Sequence, residues 1–137
     1  MNHVRRIIAL AAALPGLAGA QRAARLPSIE LRPGLVITQS VRIVPRRYRL
    51  PAPVSLDSAA VTIRGSNLTV DFAGARLEGM DSHADPDLAT GVAVRVEGGH
   101  DIRILNAHIR GYKVGIMVRG TRGFTLAGSD VSYNWKP

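Results

Sequence analysis

Residues 91–134 read Gly91-Val-Ala-Val-Arg-Val-Glu-Gly-Gly-His-Asp-Ile-Arg-Ile-Leu-Asn-Ala-His-Ile-Arg-Gly-Tyr-Lys-Val-Gly-Ile-Met-Val-Arg-Gly-Thr-Arg-Gly-Phe-Thr-Leu-Ala-Gly-Ser-Asp-Val-Ser-Tyr-Asn134, which is one apolar pattern written twice. Val94, Val96, Ile102, Ile104 and Ile109 recur 22 positions later (116 − 94 = 22) as Ile116, Val118, Phe124, Leu126 and Val131, and Gly98 recurs as Gly120. Each unit holds three short alternating segments separated by Gly-rich or polar turns. Alternation with period two is a strand signal, and a repeat this short cannot hold a helical hairpin. One unit therefore predicts one coil of a β-solenoid.

Working backwards, Val41, Ile43, Tyr48 and Leu50 are matched 20 positions later (61 − 41 = 20) by Val61, Ile63, Leu68 and Val70, which suggests two earlier coils with a shorter repeat. Coils tolerate different turn lengths, because each strand needs only to meet its neighbours above and below. From Leu68 and Val70 to Ile102 and Ile104 the step is 34 (102 − 68 = 34), an excess that falls mainly in residues 79–90. Three Asp, one His and one Pro in that segment disfavour strand and predict a loop bulging from the coil.

The segment Ala60-Val-Thr-Ile-Arg-Gly-Ser-Asn-Leu-Thr-Val-Asp-Phe-Ala-Gly-Ala-Arg-Leu-Glu-Gly79, with Gly91-Val-Ala-Val94 and Asp101-Ile-Arg-Ile-Leu-Asn-Ala-His-Ile109, resembles the right-handed parallel β-helix proteins of the pectate-lyase-like superfamily. The likeness covers roughly residues 35–134. It implies an all-β, right-handed parallel β-helix of about four coils. That superfamily includes polysaccharide lyases, hydrolases, epimerases and non-catalytic surface proteins, so the fold does not choose among them. Its members are usually longer, and the expectation is that residues 1–137 form an N-terminal fragment.

The chain opens with Arg5-Arg6, an apolar run over residues 7–14, Pro15-Gly16 and Ala18-Gly19-Ala20, the order of a secretory signal cleaved after Ala20. The run is far below the roughly 20 apolar residues that span a bilayer, so no membrane span is expected. The domain reading is a signal peptide over 1–20, a lead-in or N-terminal cap over 21–34 that covers the open solenoid end, and the β-helix over 35–137. The protein is expected to be secreted or periplasmic. The absence of cysteine means that the fold does not rely on disulfides.

The formal charge is +8, and removing residues 1–20 leaves 16 − 10 = +6, almost all of the basic side chains being Arg. In an exported protein such a surface favours acidic polysaccharide, lipid headgroups or cell-wall polymer over nucleic acid. Alternation along the strands predicts outward columns. The first is Arg42, Thr62, Arg95 and Met117, and the second is Arg49, Thr69, Arg103 and Thr125. Arg42, Arg49, Arg95 and Arg103 are thus candidates to grip an acidic sugar chain, since guanidinium binds carboxylate in two-pronged fashion. Long stems that cover apolar sheet and keep their heads in water are the competing explanation.

On a third sheet, interior Leu77, Ile109 and Val131 leave Arg76, His108 and Asp130 as one outward column and Glu78, Arg110 and Ser132 as another. Arg76, His108 and Asp130 are candidate catalytic residues, because they can bind a uronate, transfer a proton and orient the base in turn. They also suit an ordinary ladder of opposite charges. Asp81, Asp85 and Asp87 could offer oxygen ligands to Ca2+, although Asp85-Pro86-Asp87 is equally good turn chemistry. No nucleophile motif or phosphate loop is present. Two functions follow: a carbohydrate-active or carbohydrate-binding protein acting on acidic polysaccharide, of polysaccharide lyase or glycoside hydrolase type if an enzyme, or a non-catalytic β-helix scaffold.

Overall fold

The computed structural model describes residues 25–81 and 83–135. The expected signal peptide lies outside the described residues, as do the first positions of the lead-in. Among the described residues, twelve strands follow one another: β1 (Ser28–Ile29), β2 (Leu35–Ile37), β3 (Val41–Ile43), β4 (Arg47–Arg49), β5 (Ala59–Arg64), β6 (Leu68–Asp71), β7 (Arg76–Glu78), β8 (Val92–Glu97), β9 (His100–Leu105), β10 (His108–Arg110), β11 (Val114–Arg119) and β12 (Arg122–Ala127). They sort into three parallel sheets. Sheet I is β2-β5-β8-β11, sheet II is β1-β3-β6-β9-β12, and sheet III is β4-β7-β10.

Successive strands from β2 onward visit sheets I, II and III in turn. The chain therefore coils, and each strand pairs with its equivalent one coil away, giving an all-β solenoid of parallel strands. Parallel strands cannot be joined by a tight hairpin. Here the crossover each pair needs is the remainder of the coil. Among the described residues, no helix is long and apolar enough to cross a membrane.

The 22-residue register is as read: Val94 pairs with Ile116, Val96 with Val118, Ile102 with Phe124 and Ile104 with Leu126. The step of 34 from Leu68 to Ile102 is present too. The step of 20 is not. Leu35 and Ile37, not Val41 and Ile43, pair with Val61 and Ile63 in sheet I. Val41 pairs with Val70 in sheet II, and Tyr48 with Leu77 in sheet III. The true steps are 26 (61 − 35) and 29 (70 − 41 and 77 − 48). Period-two alternation tells inside from outside but does not say which sheet a strand joins. Residues 51–58, an added loop after β4, lengthen the first coil and displace the match.

This loop and residues 79–91 occupy the same corner, where the chain passes from sheet III to sheet I. They pack on one another at Gly91, which has φ +67 and where a Cβ would lie 2.2 Å from the Pro53 carbonyl oxygen. A 3-10 turn, Pro86–Leu88, is capped by Asp85, whose Oδ1 accepts from the Asp87 N–H at 3.0 Å. The lead-in is tied down as well. Arg42 N–H donates to the Pro27 carbonyl, Val44 N–H donates to that of Ile29, and Leu31 is buried.

Inside the coils, Val61, Ile63, Val70, Leu77, Ile102, Ile104 and Ile109 are sealed from solvent. Each such side chain contributes about 1.5–3 kcal/mol of burial before entropy is subtracted. Phe72, Tyr112 and Tyr48 are buried, whereas Phe124 is only partly so, and Val118 and Leu126 on the same outermost rung are 37% and 41% exposed.

Candidate functional site

Sheet III is short, and its three strands carry charge on their outward positions. With Tyr48, Leu77 and Ile109 turned inward, the register stacks Arg47, Arg76, His108 and Asp130 as one outward column. Arg49, Glu78 and Arg110 form the next. Rungs lie about 4.8 Å apart. Arg76, His108 and Asp130 are therefore brought together as the sequence suggests, and the column extends one rung further, to Arg47.

The outer surface here is hollowed. Arg76, His108, Arg110, Asp130, Ser132 and Tyr133 line a cleft of about 170 Å3. A smaller depression continues from it under the loop of residues 79–91, lined by Met80, Asp81, Pro86, Arg110 and Tyr133. Tyr133 is shared by both. Its φ of +57 turns it out of the strand direction, its ring lies 5.0 Å from the Arg110 guanidinium, and it remains 72% exposed.

Glu78 is the buried charge of this face. It points outward in the register yet is only 2% exposed, with Arg47 Nε 3.3 Å from its Oε1 and with Arg49 and Arg110 as rung neighbours. A carboxylate so enclosed costs several kcal/mol to desolvate unless cations surround it. Here they do. The Asp130 carboxyl is held below the usual carboxylate range chiefly by hydrogen bonds from Ser132, with smaller contributions from the charges of His108 and Arg110. Its Oδ1 accepts from the Ser132 N–H at 2.9 Å. Asp130 thus braces its own turn rather than the His108 ring. His108, Arg76 and Arg47 are exposed.

The other expected arginines do not form two ribbons. Arg42 is in sheet II opposite Asp71, and Arg103 is in the same sheet opposite Thr69 and Thr125. Arg95 is in sheet I opposite Thr62 and Met117, where the first-coil residue is Val36 in place of Arg42. Arg49 belongs to sheet III. The shifted first coil is the cause. Arg95 is moreover occupied: its guanidinium reaches Glu97 Oε1 at 2.5 Å and donates to the Asp57 carbonyl, strapping the loop of residues 51–58 to sheet I. Its side chain is only 13% exposed.

Asp81 and Asp85 are engaged within their own loop and with Arg49. Asp81 Oδ1 accepts from His83 N–H at 3.1 Å, and its Oδ2 lies 3.9 Å from Arg49, while Asp85 caps the 3-10 turn. Among the described residues, no group of three or more His, Cys, Asp or Glu side chains is placed to hold a metal ion. Arg47 and Tyr133 are the site residues that sequence reading misses. Arg47 was legible through the repeat of Arg47-Tyr48-Arg49 in Arg76-Leu77-Glu78. Tyr133 carries no sequence signal. The chain matches no protein-family model, no curated protein and no solved structure.

Proposed function

We propose that this is an exported parallel β-helix protein, similar to the pectate-lyase-like superfamily, that binds acidic polysaccharide along the outer face of sheet III. The observation that carries the reading is the cleft beside Arg76, His108 and Arg110, with Arg47 continuing the cationic column on the next rung. Guanidinium groups repeated at strand spacing suit carboxylates repeated along an extended sugar chain. Tyr133 adds an exposed ring on which a sugar can stack, and the +6 (16 − 10) left after residues 1–20 are removed favours encounter with a polyanion.

Binding, as a scaffold or recognition protein, is favoured over turnover. The Asp130 carboxylate is engaged by Ser132 and makes no hydrogen bond to His108, so the three residues share a column without forming a hydrogen-bonded acid–base pair. Export is part of the same proposal, with residues 1–20 removed on the way out. No cofactor is needed for binding of this kind, and Ca2+ bridging by the loop of residues 79–91 is not part of it.

The test is a titration of the full chain with polygalacturonate, hyaluronate and uncharged dextran at several salt concentrations. Salt-sensitive binding of an acidic polymer, reduced by Arg76→Ala and Arg110→Ala, supports the proposal. Equal affinity for dextran, or no binding to any polymer, overturns it. Release of unsaturated uronate during the titration replaces binding with lyase turnover. The N-terminus of the exported protein, expected at Gln21, checks the leader.

A further inference from the structure

A second depression lies on sheet II, at the corner where the chain arrives from sheet I. It opens to about 430 Å3 and shares no residue with the sheet III cleft. The interior row Leu68, Ile102 and Phe124 fixes what stands on either side of it. One outward column is Asn67, Asp101 and Gly123, and the next is Thr69, Arg103 and Thr125. On each strand the two columns are two residues apart, about 6.6 Å.

Asn67, Asp101 and Gly123 hold left-handed φ angles of 55, 54 and 67 degrees, which bend the chain through the corner. Gly123 opens the depression. It leaves bare the rung where its neighbours carry an amide and a carboxylate, and a Cβ there would come within 2.7 Å of Asp101 Oδ1.

The charges on the two walls are not spent on each other. Asp101 Oδ2 lies 2.8 Å from His100 Nδ1, and Arg103 enters no ion pair among the described residues. An amide, a carboxylate, a guanidinium and two hydroxyls thus face one shallow space, with Phe124 adding apolar surface. Asp101 opposes a polyanion, and Arg103 opposes a simple cation. The set instead suits vicinal hydroxyls, which donate to carboxylate and amide oxygens and accept from guanidinium and amide nitrogen.

We propose that the sheet II depression formed by Asn67, Asp101, Arg103 and Thr125 is a saccharide subsite for an uncharged, hydroxyl-rich sugar, separate from the sheet III face. It stands whether or not sheet III binds acidic polymer.

The experiment is an amide-resolved NMR titration of the labelled full chain with a β-glucan oligosaccharide, a mannan oligosaccharide and an oligogalacturonate. A neutral oligosaccharide is expected to give saturable shifts at Asp101, Arg103 and Thr125. Asp101→Asn and Arg103→Ser should each weaken that binding at least about tenfold, with thermal melts unchanged, and Arg76→Ala should leave it intact. Absence of saturable shifts at those amides with either neutral oligosaccharide overturns the proposal. So does response to oligogalacturonate alone, or binding that survives both substitutions. Oligogalacturonate shifts at Arg76, His108 and Arg110 report on sheet III separately.

Discussion

The phenol of Tyr112 donates a hydrogen bond of 2.7 Å to the carbonyl of Leu50, 62 residues earlier in the chain. Tyr112 sits at the corner between sheets III and I in the third coil, and Leu50 follows β4 in the first. The bond therefore spans the second coil, inside the wall of the candidate site. The ring also lies against Gly79, where an added Cβ would meet it at 2.8 Å, so it anchors the start of the loop that overhangs sheet III.

Tyr112→Phe removes that bond and leaves the buried Leu50 carbonyl without its donor, at a cost of about 1–3 kcal/mol. Burial, and secondarily the charge of Glu78, raise the Tyr112 phenol above its ordinary value. A raised acid is favoured neutral in the fold. The stability it contributes is complete below the unfolded phenol value of about 10 and is lost as pH rises above it. Denaturant melts should therefore fall off less steeply in alkali for Tyr112→Phe than for the parent. Parallel curves would show that Tyr112 ionises without unfolding.

Ile104 and Arg103 are neighbours on β9 with opposite surroundings, one sealed from solvent and the other exposed. Ile104→Asp places a carboxylate among apolar rungs and should abolish the cooperative melt or cause aggregation. Arg103→Ser should change stability by less than about 0.5 kcal/mol. Circular dichroism melts that reversed this order would contradict the register.

Arg76 and Arg110 both line the sheet III cleft. A hydrogen bond to a charged group contributes about 1.5–3 kcal/mol, so either Arg→Ala change should weaken acidic-polymer binding roughly tenfold or more. Salt dependence should flatten in the double variant, because fewer counterions are released when the polymer binds. Isothermal titration at two ionic strengths measures both effects.

Glu97 and Asp130 govern the acid limb. Glu97 is held below its ordinary range first by its hydrogen bond from Arg64, at 2.7 Å, and then by the charges of Arg64, Arg95 and Arg119; Asp130 is held down by Ser132. A depressed carboxyl contributes stability above its unfolded value of about 4 and loses it as pH falls through the folded value. Melting temperature should drop as pH falls below about 4, and Glu97→Gln should reduce the size of that drop. An unchanged acid limb in Glu97→Gln would show that its pairing with Arg64 and Arg95 is energetically silent.

The last two coils were legible because nothing interrupts them. Val94 to Ile116 and Ile102 to Phe124 keep one spacing, and His108 and Asp130 could be stacked by counting. The first coil was not, because residues 51–58 are an insertion whose length leaves no trace in the alternation. That one displacement moved Arg42 and Arg49 to other sheets and hid Arg47 from the site.

Counting along the chain was enough for the inward rows of Val, Ile and Leu, the parallel solenoid and the stacking of Arg76 over His108. These follow from period-two burial and from a repeat too short for any other crossover. The packed coils were needed to show which sheet each first-coil strand joins, that two insertions share one corner, and that Glu78 is buried against Arg47 while Tyr133 stands beside the cleft. Each of those depends on loop packing and on contacts between coils. A strand pattern records which side a residue faces, but not what lies above it.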